Sequence, residues 1–244
     1  MEARKIIITG GATRIGAAIA KKLSGPNKEI LIHFNRSKSK AEKLKKDLSK
    51  NGTKVYLVKG DLSKETDVNK IVRFAKSKLK YFDCLINNAS LFENDKLENF
   101  TTDSWGHHLR TNLRTPALLS KEFAKSKLKY FDCLINNASL FENDKLENFT
   151  TDSWGHHLRT NLRTPALLSK EFAKNIKGKN NNIINLIDQR VFKLTPYFFS
   201  YTISKTGLYT LTKTSAMSLA PNIRVNGIAP GPTIKNSRQS EKHF

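Results

Sequence analysis

The sequence predicts an α/β fold in which helices cover both faces of a doubly wound parallel sheet. Short aliphatic runs recur along the chain and suit strands that are buried on both faces. Segments with helical spacing separate them; residues 38–50, for example, carry Ala41, Leu44 and Leu48 on one face. This alternation favours parallel pairing, because each helix returns the chain to the start of the next strand. The strand candidates lie near Lys5, Glu29, Lys54, Asp83 (or Asp132), Asn182 and Ile223.

A glycine-rich turn joins the first strand to the first helix. Residues 4–9 form the aliphatic run, residues 9–16 read Thr-Gly-Gly-Ala-Thr-Arg-Ile-Gly, and a helical pattern continues to Gly25. The amino end of a helix has free N–H groups and a positive partial charge, so this unit can hold a dinucleotide pyrophosphate. The strict Gly-x-Gly-x-x-Gly spacing is absent, which leaves an ordinary βα turn as the alternative.

The loop after the second strand indicates which nicotinamide cofactor would bind. NAD sites place a carboxylate here to bind the ribose 2′-hydroxyl, but no acidic residue lies between Glu29 and Glu42. Arg36, Ser37 and Lys38 stand there instead and suit a 2′-phosphate. NADPH is therefore the predicted cofactor, and a basic surface loop is the alternative.

Tyr201 and Lys205 are the candidate pair for proton transfer. They lie four residues apart and share one face of a helix. An ammonium group one turn away should lower the tyrosine pKa from its usual value of about 10 and let the phenol pass a proton to a substrate. Asp188 lies upstream, thirteen residues before the tyrosine.

An asparagine lies four residues before a proline at two places, Asn112 with Pro116 and Asn161 with Pro165. Proline has no N–H, so the asparagine carbonyl loses its helical partner and can hold a water. A kink that serves packing is the alternative.

These motifs together resemble the short-chain dehydrogenase/reductase family, and within it the pteridine reductases, including bacterial dihydromonapterin reductases. The family usually has glycine where this chain has Arg14 and serine where it has Asp188, and pteridine reductases share both changes. Residues 33–37, 87–92 and 224–231 are also similar to motifs of that group. The resemblance covers essentially the whole chain and implies a Rossmann-like fold.

The resemblance implies hydride transfer from NADPH to a C=N bond of a dihydropterin. Tyr201 would protonate the ring nitrogen, Lys205 would hold the nicotinamide ribose, and Asp188 would orient the pterin or share the proton path. The catalytic set is Asp188, Tyr201, Lys205, Asn112 and Asn161, the asparagines completing a proton relay. The substrate-binding set is Ser90, Phe92, Ser139, Phe141, Asp188 and Tyr201, with Phe92 or Phe141 stacking on the pterin. The cofactor-binding set is Gly10, Arg14, Ile15, Gly16, Arg36, Ser37, Asp61, Leu62, Asn87, Asn88, Ala89, Asn136, Asn137, Ala138, Lys205, Pro230 and Gly231.

A tandem duplication interrupts the pattern. Residues 77–125 are repeated without a change as residues 126–174, two copies of 49 residues. Two copies are too few for a solenoid, and the resembling fold has one position for this strand and helix. We therefore expect a single NADP-binding domain over residues 1–244, with one copy in the sheet and the other extruded. Which copy enters stays open, because each keeps one natural junction with its neighbours.

The chain ends soon after the last strand candidate. The resembling family continues with a substrate-covering segment and a seventh strand, so we expect the strand near Ile223 to be an exposed edge. Loss of the usual oligomer contact would argue against the homo-oligomer that the resemblance implies.

Composition indicates a cytoplasmic protein. Cys84 and Cys133 are equivalent residues of the two copies, so the repeated segment contributes a single cysteine position, which suggests a reducing compartment. No signal peptide or membrane span is visible in the sequence. The net charge of +22 invites a nucleic-acid partner, but much of the excess lies on solvated helix faces and no nucleic-acid motif accompanies it.

The paired histidines, His107-His108 and His156-His157, point in different directions on a helix, so no metal is expected.

Three other functions stay open. A reductase of the same family could act on another carbonyl, although Asp188 and Phe92 argue against it. A catalytically silent NADPH-binding protein, or a non-functional remnant, is favoured by the duplication and the early end. A nucleic-acid binder is the third.

Overall fold

The computed structural model describes residues 4–90, 110–111, 115–116, 118–119, 132–176 and 181–231. They form one parallel sheet of seven strands, in the order β3-β2-β1-β4-β5-β6-β7. The strands are β1 (Lys5–Ile8), β2 (Glu29–Phe34), β3 (Lys54–Lys59), β4 (Cys84–Asn87), β5 (Cys133–Asn136), β6 (Asn181–Leu186) and β7 (Ile223–Ile228). Every strand candidate of the sequence is present, and the predicted doubly wound parallel sheet is confirmed.

Helices cover both faces of this sheet. The helices with described bounds include α1 (Arg14–Leu23), α2 (Lys38–Lys50), α3 (Glu65–Leu79), α4 (Thr151–Leu158), α5 (Thr164–Asn175) and α6 (Phe199–Leu219). A π-helical turn, Arg159–Arg163, joins α4 to α5, and a short 3₁₀ turn, Gln189–Val191, follows β6. No helix in the described ranges is long and apolar enough to cross a membrane.

The alternation of side chains along β1 explains the two layers of the core. Ile6 and Ile8 pack on one face with Ala20 of α1 and Leu44 of α2. Ile7 points to the opposite face, into a second cluster that α3 covers. Because β1 and β2 are buried on both faces, their sequences read as nearly continuous aliphatic runs rather than alternating ones.

The expectation that one copy of the duplication would be extruded is wrong. The strands of both copies pair with each other in register, from Cys84 opposite Cys133 to Asn87 opposite Asn136. The first copy also pairs with β1 and the second with β6. An open sheet has no closure condition that limits its strands, so a second strand–helix unit widens the sheet instead of leaving an aliphatic segment in water.

Equivalent residues of the two copies lie in different parts of the core. Leu85 and Leu119 of the first copy join the cluster under α3. Their counterparts Leu134 and Leu168 pack with Ile183 of β6 in a third cluster. The same sequence therefore fills two positions in the fold.

The last described strand is an edge, as predicted, since β7 pairs with β6 and stands at one end of the strand order. The sheet reaches seven strands through the duplicated strand. Residues 232–244, which include the polar end of the chain, lie outside the described residues.

Candidate active site

The glycine turn after β1 is a close-packed cradle. Gly10 has a φ of +61°, a conformation that favours glycine. A Cβ on Gly16 would lie 2.5 Å from the Gly10 carbonyl oxygen and 2.6 Å from Asn88 Nδ2, so no larger residue fits. The first copy completes the cradle, because the backbone N–H groups of Asn88 and Ala89 both donate to the Thr9 hydroxyl at 3.0 Å.

His33 hydrogen-bonds to the backbone of the glycine turn, a role that sequence reasoning missed. The Gly10 N–H donates to His33 Nδ1 at 3.2 Å, which leaves Nε2 to donate to the Gly60 carbonyl at 3.0 Å. Burial, the largest influence, lowers the pKa of His33 below its usual 6.5. The neutral ring can accept and donate at once, as this position requires. Its placement inside an aliphatic strand was the signal available in the sequence.

The residues predicted for the cofactor phosphates lie around this turn. Arg14 begins α1 with a φ of +48° and an exposed side chain, and the first turn of α1 holds no acidic residue. Ser37 stands immediately before α2, next to the exposed Arg36.

Two further residues predicted to bind the cofactor, Asp61 and Leu62, follow β3. Asp61 Oδ1 accepts from the Ser63 N–H at 2.9 Å. Leu62 is buried, and its carbonyl accepts from the Thr115 hydroxyl of the first copy. Ile15 is partly exposed at the start of α1.

Tyr201, Asp188 and Lys205 come together at the carboxyl end of β6. The Tyr201 hydroxyl donates to Asp188 Oδ2 at 2.6 Å, and Asp188 Oδ1 accepts from the Arg190 backbone N–H at 2.8 Å. Lys205 Nζ donates to the Leu186 carbonyl at 2.8 Å. The helical spacing of α6 places both the tyrosine and the lysine on its buried face.

The expectation that Lys205 lowers the tyrosine pKa is wrong for this structure. Burial, followed by the charge of Asp188, raises the pKa of Tyr201 well above its usual 10. Burial also lowers the pKa of Lys205 to about 8. The lysine Nζ lies 5.7 Å from the tyrosine ring centroid and is directed at Leu186, whereas the aspartate contacts the phenol directly. At neutral pH the phenol therefore keeps its proton.

Asn161 fixes the loop that follows β5. It lies in the π-helical turn, four residues before Pro165, at the predicted irregularity. Its Oδ1 accepts from the Leu140 N–H at 2.8 Å and from Ser139 Oγ at 3.2 Å. Its Nδ2 donates to the Leu140 carbonyl at 2.9 Å and to Ser204 Oγ at 3.0 Å. The side chain thus ties the second copy to the helix that carries Tyr201.

An aromatic wall stands beside the tyrosine. Phe141 packs its edge against Tyr201 with ring centroids 4.7 Å apart and stacks on Phe198 at 4.4 Å, nearly parallel. The Arg190 guanidinium lies 4.4 Å from the Phe198 ring centroid. Phe141 is 39% exposed, so part of its face is free to meet a ligand.

His157 and Asp144 hydrogen-bond to the backbone on either side of these aromatic residues. Sequence reasoning had considered the histidine only as a metal ligand. His157 Nδ1 donates to the Ser153 carbonyl at 2.9 Å, and Nε2 accepts from the Glu142 N–H at 3.3 Å. Burial lowers the pKa of His157. Asp144 Oδ1 accepts from the Ser200 N–H at 3.0 Å, at the start of α6. Among the described residues, no three His, Cys, Asp or Glu side chains group as a metal site.

The two copies divide the site between them. Asn88 of the first copy donates through Nδ2 to the Thr9 carbonyl at 2.9 Å, whereas Asn137 of the second copy donates to Asn88 Oδ1 at 2.8 Å. Ser90 Oγ donates to the Ser139 carbonyl at 3.0 Å. The first copy therefore lines the glycine turn, and the second lies next to it on the tyrosine side.

The other predicted residues lie at or just beyond the carboxyl ends of the strands. Asn87 and Asn136 are buried at the ends of β4 and β5, and Asn136 Nδ2 donates to Asn185 Oδ1 at 2.9 Å. Ala138 donates through its N–H to the Asn87 carbonyl at 2.8 Å. Pro230 accepts at its carbonyl from the Gln189 N–H, and Gly231 lies against the Gln189 side chain. Phe92 and Asn112 lie outside the described residues.

A glycine cradle at a helix start and a Tyr–Lys–Asp cluster, both at the carboxyl edge of a parallel sheet, are an arrangement typical of dinucleotide-dependent oxidoreductases. The short-chain dehydrogenase family model matches residues 4–129 and again residues 121–243, so the chain belongs to that family. The repeated match agrees with the duplicated segment.

Three relatives illustrate the similarity. The chain is 34% identical to the short-chain dehydrogenase/reductase FrzI of Cladobotryum sp. over 113 residues, which are 46% of this chain and 44% of that protein. It therefore spans less than half of that relative. The FolM alternative dihydrofolate reductase 1 of Brucella canis, solved with NADP, is 32% identical, with a TM-score of 0.63 over 98% of this chain and 76% of that one. The reductase LugOII, at 20% identity and a TM-score of 0.60 over 93% of this chain and 77% of that one, shares the fold.

Proposed function

We propose that this protein is an NADPH-dependent reductase that transfers a hydride to a C=N bond of a dihydropterin. The observation that carries the proposal is Tyr201, bonded through its hydroxyl to Asp188 and packed against Phe141. A short-chain reductase of ordinary carbonyls would have a serine at the position of the aspartate, by the family resemblance given above.

The chain fits the cofactor at its phosphate end. The cradle that a Gly16 side chain would fill lies at the start of α1, where free N–H groups favour an anion. Arg36 and Ser37 follow β2 with no carboxylate between Glu29 and Glu42, which suits a 2′-phosphate. The FolM relatives were solved with NADP, which supports the same choice. When bound, NADPH supplies the hydride.

The chain also fits a flat, nitrogen-rich substrate. Phe141 and Phe198 form parallel aromatic faces, on one of which the Arg190 guanidinium lies. A planar heterocycle can stack on such a face. Asp188 can accept from ring N–H or amino groups beside it.

Tyr201 is the proton donor in this proposal. Its raised pKa keeps the hydroxyl protonated at neutral pH but also makes it a weak acid, so the proposal requires that pKa to fall when the site is filled. The hydroxyl donates to Asp188 at 2.6 Å, so it must turn from the aspartate towards the substrate to give up its proton. Lys205 is buried beside them and anchored on Leu186, so its ammonium group contributes a fixed positive charge near the reacting centre.

The test combines cofactor titration with turnover. We expect calorimetry to show tighter binding of NADPH than of NADH, and spectrophotometry to show NADPH oxidation with dihydropterins and little with simple ketones. Tyr201→Phe should lower kcat by about 10² to 10⁴, the usual contribution of general acid catalysis, and leave NADPH affinity unchanged. Full turnover in that variant, or equal rates with simple ketones, would overturn the proposal.

A second candidate is a catalytically silent NADPH-binding protein, which one observation favours. Both β4 and β5 lie between β1, which leads into the glycine turn, and β6, which leads to Asp188. The duplicated strand therefore widens the gap between cradle and tyrosine by about 4.8 Å, the spacing of neighbouring strands. Hydride and proton transfer tolerate little misplacement, since an error of about 1 Å can cost a factor of about 100.

Deletion of one copy distinguishes the two candidates. Removing residues 77–125 or residues 126–174 gives the same sequence, because the copies are identical. A silent binder predicts that the natural chain binds NADPH without turnover and that the single-copy variant gains turnover. The reductase proposal predicts turnover in the natural chain.

A further inference from the structure

The duplication creates a pair of cysteines that face each other across two strands. Cys84 begins β4 and Cys133 begins β5, and the register places them directly opposite one another. They are the two cysteines of the chain, and both are free thiols in the structure.

The geometry of the sheet puts these thiols within bonding reach. Neighbouring strands lie about 4.8 Å apart, which falls inside the Cα separations of about 4.4–6.8 Å found for disulfides. Both side chains project to the same face, where Cys84 belongs to the cluster of Ile6 and Ile8 and Cys133 packs against it.

The environments of the two thiols differ, which gives them different roles in exchange. Cys84 is buried, whereas Cys133 is partly exposed. The contact with Cys133, together with burial, raises the pKa of the Cys84 thiol. Because Cys133 is the more exposed thiol, it is the one that an external disulfide meets first.

We propose that Cys84 and Cys133 form an oxidisable cross-strand dithiol, which a small disulfide such as oxidised glutathione converts to an intramolecular disulfide. The Cys133 thiolate attacks one sulfur of glutathione disulfide and releases one glutathione thiolate. The Cys84 sulfur, on losing its proton, then attacks the mixed disulfide at Cys133 and releases the second glutathione. The two protein thiols lose two electrons and two protons, and the glutathione disulfide gains them.

The dithiol lies away from the candidate active site. Cys84 and Cys133 begin their strands, whereas Asn87 and Asn136 end the same strands next to the cofactor cradle. The proposal is thus independent of the reductase function. A disulfide would tie β4 to β5 and so hold the two copies together.

The experiment equilibrates the folded chain with a series of glutathione redox buffers. Free thiols are counted, intact mass identifies glutathione adducts, and peptide mapping under non-reducing conditions locates the bond. We expect both thiols to disappear without a bound glutathione, a single linked peptide pair containing Cys84 and Cys133, and a monomer on a non-reducing gel.

The urea-unfolded chain is the reference, because it contains the same two thiols without the strand pairing that places them opposite one another. We expect the equilibrium constant for disulfide formation to be at least about tenfold larger in the folded chain, a shift of about 30 mV for this two-electron couple. Cys84→Ser and Cys133→Ser are the matched controls. Each should retain one thiol or one stable glutathione adduct.

Two outcomes would overturn the proposal. One is a folded chain that keeps two thiols, or two separate glutathione adducts, while the unfolded chain forms the bond. The other is a disulfide between molecules in place of the internal one. Circular dichroism of each sample checks that the folded sample is folded.

Discussion

Replacing Asn161 by alanine tests whether the second copy forms the catalytic side of the site. Its twin Asn112 has the same neighbours in sequence, so Asn112→Ala removes the same atoms from the first copy and is a matched control. Asn161 is 1% exposed and contacts Leu140, Ser139 and Ser204 through its amide.

The magnitude follows from the groups that Asn161→Ala leaves without partners. The backbone N–H of Leu140 loses its hydrogen bond at 2.8 Å, whereas its carbonyl loses one at 2.9 Å but keeps the Ser139 hydroxyl at 3.4 Å. A buried polar group left unsatisfied costs about 1–3 kcal/mol, so the variant should lose about 1–3 kcal/mol of folding free energy. That is a large share of the about 5–15 kcal/mol that stabilise a typical domain.

The same change should impair catalysis in the protein that remains folded. The amide holds the loop before Phe141 against the helix of Tyr201, so its loss lets both shift. A displacement of about 1 Å at a reacting centre can cost about 10² in rate. We expect kcat to fall by about that factor in Asn161→Ala, with NADPH affinity near wild type, and to stay close to wild type in Asn112→Ala.

The assay combines urea unfolding, NADPH titration and steady-state kinetics at a temperature where the variant is folded. Equal losses of kcat in the two variants, or a larger loss in Asn112→Ala, would refute the assignment of the catalytic side to the second copy. An Asn161→Ala variant as stable as wild type would refute the energetic argument.

The remaining predictions concern the cofactor cradle and pH. Gly16→Ala should weaken NADPH binding by at least about tenfold, measured by calorimetry, because its Cβ would displace the Gly10 carbonyl or Asn88; unchanged affinity would show that the cradle is not the phosphate site. Arg14→Gly should relieve a left-handed backbone conformation that costs about 1–2 kcal/mol. The glycine also adds entropy to the unfolded chain, which offsets about 0.4–1 kcal/mol of that gain. Urea unfolding should therefore show a stability that is unchanged or slightly raised, while NADPH binds more weakly. A marked loss of stability would contradict this reasoning. Burial lowers the pKa of both His33 and His157 below 6.5 in the folded chain, so the stability they contribute is present above that pH and is lost as pH falls through the lowered values. Urea unfolding at a series of pH values should show a loss approaching about 1.4 kcal/mol per pH unit for each histidine, and a flat profile below 6.5 would contradict it.

Much of the fold could be predicted because its signals are local. The aliphatic run of β1, the glycine turn and the spacing of α2 lie within short windows, and the structure has each element where the pattern indicated. The pairing of Tyr201 with Asp188 could be anticipated from the motifs, although the 2.6 Å contact itself depends on the approach of α6 to the end of β6.

The roles of several site residues could not be predicted, since they depend on partners far away in sequence. His33 was visible as a histidine in a strand, but its contact with Gly10 depends on the pairing of β1 with β2. His157 and Asp144 gave no motif, and their contacts arise when α4 and α6 pack together. The direction of the pKa shift of Tyr201 depends on burial and on which charged group lies nearer to its hydroxyl. Neither can be read from the four-residue spacing to Lys205.

The sequence by itself determined the element types, the family and the chemistry of the candidate residues, because these follow from short patterns of polarity, glycine and spacing. The tertiary structure decided where two identical segments lie. Identical sequences have identical local preferences, so the difference between the copies comes from their neighbours: the first copy pairs with β1 and lines the cradle, and the second pairs with β6 beside Tyr201. Only the assembled sheet, in which each strand position has a different partner on either side, could assign the two copies to the two halves of the site.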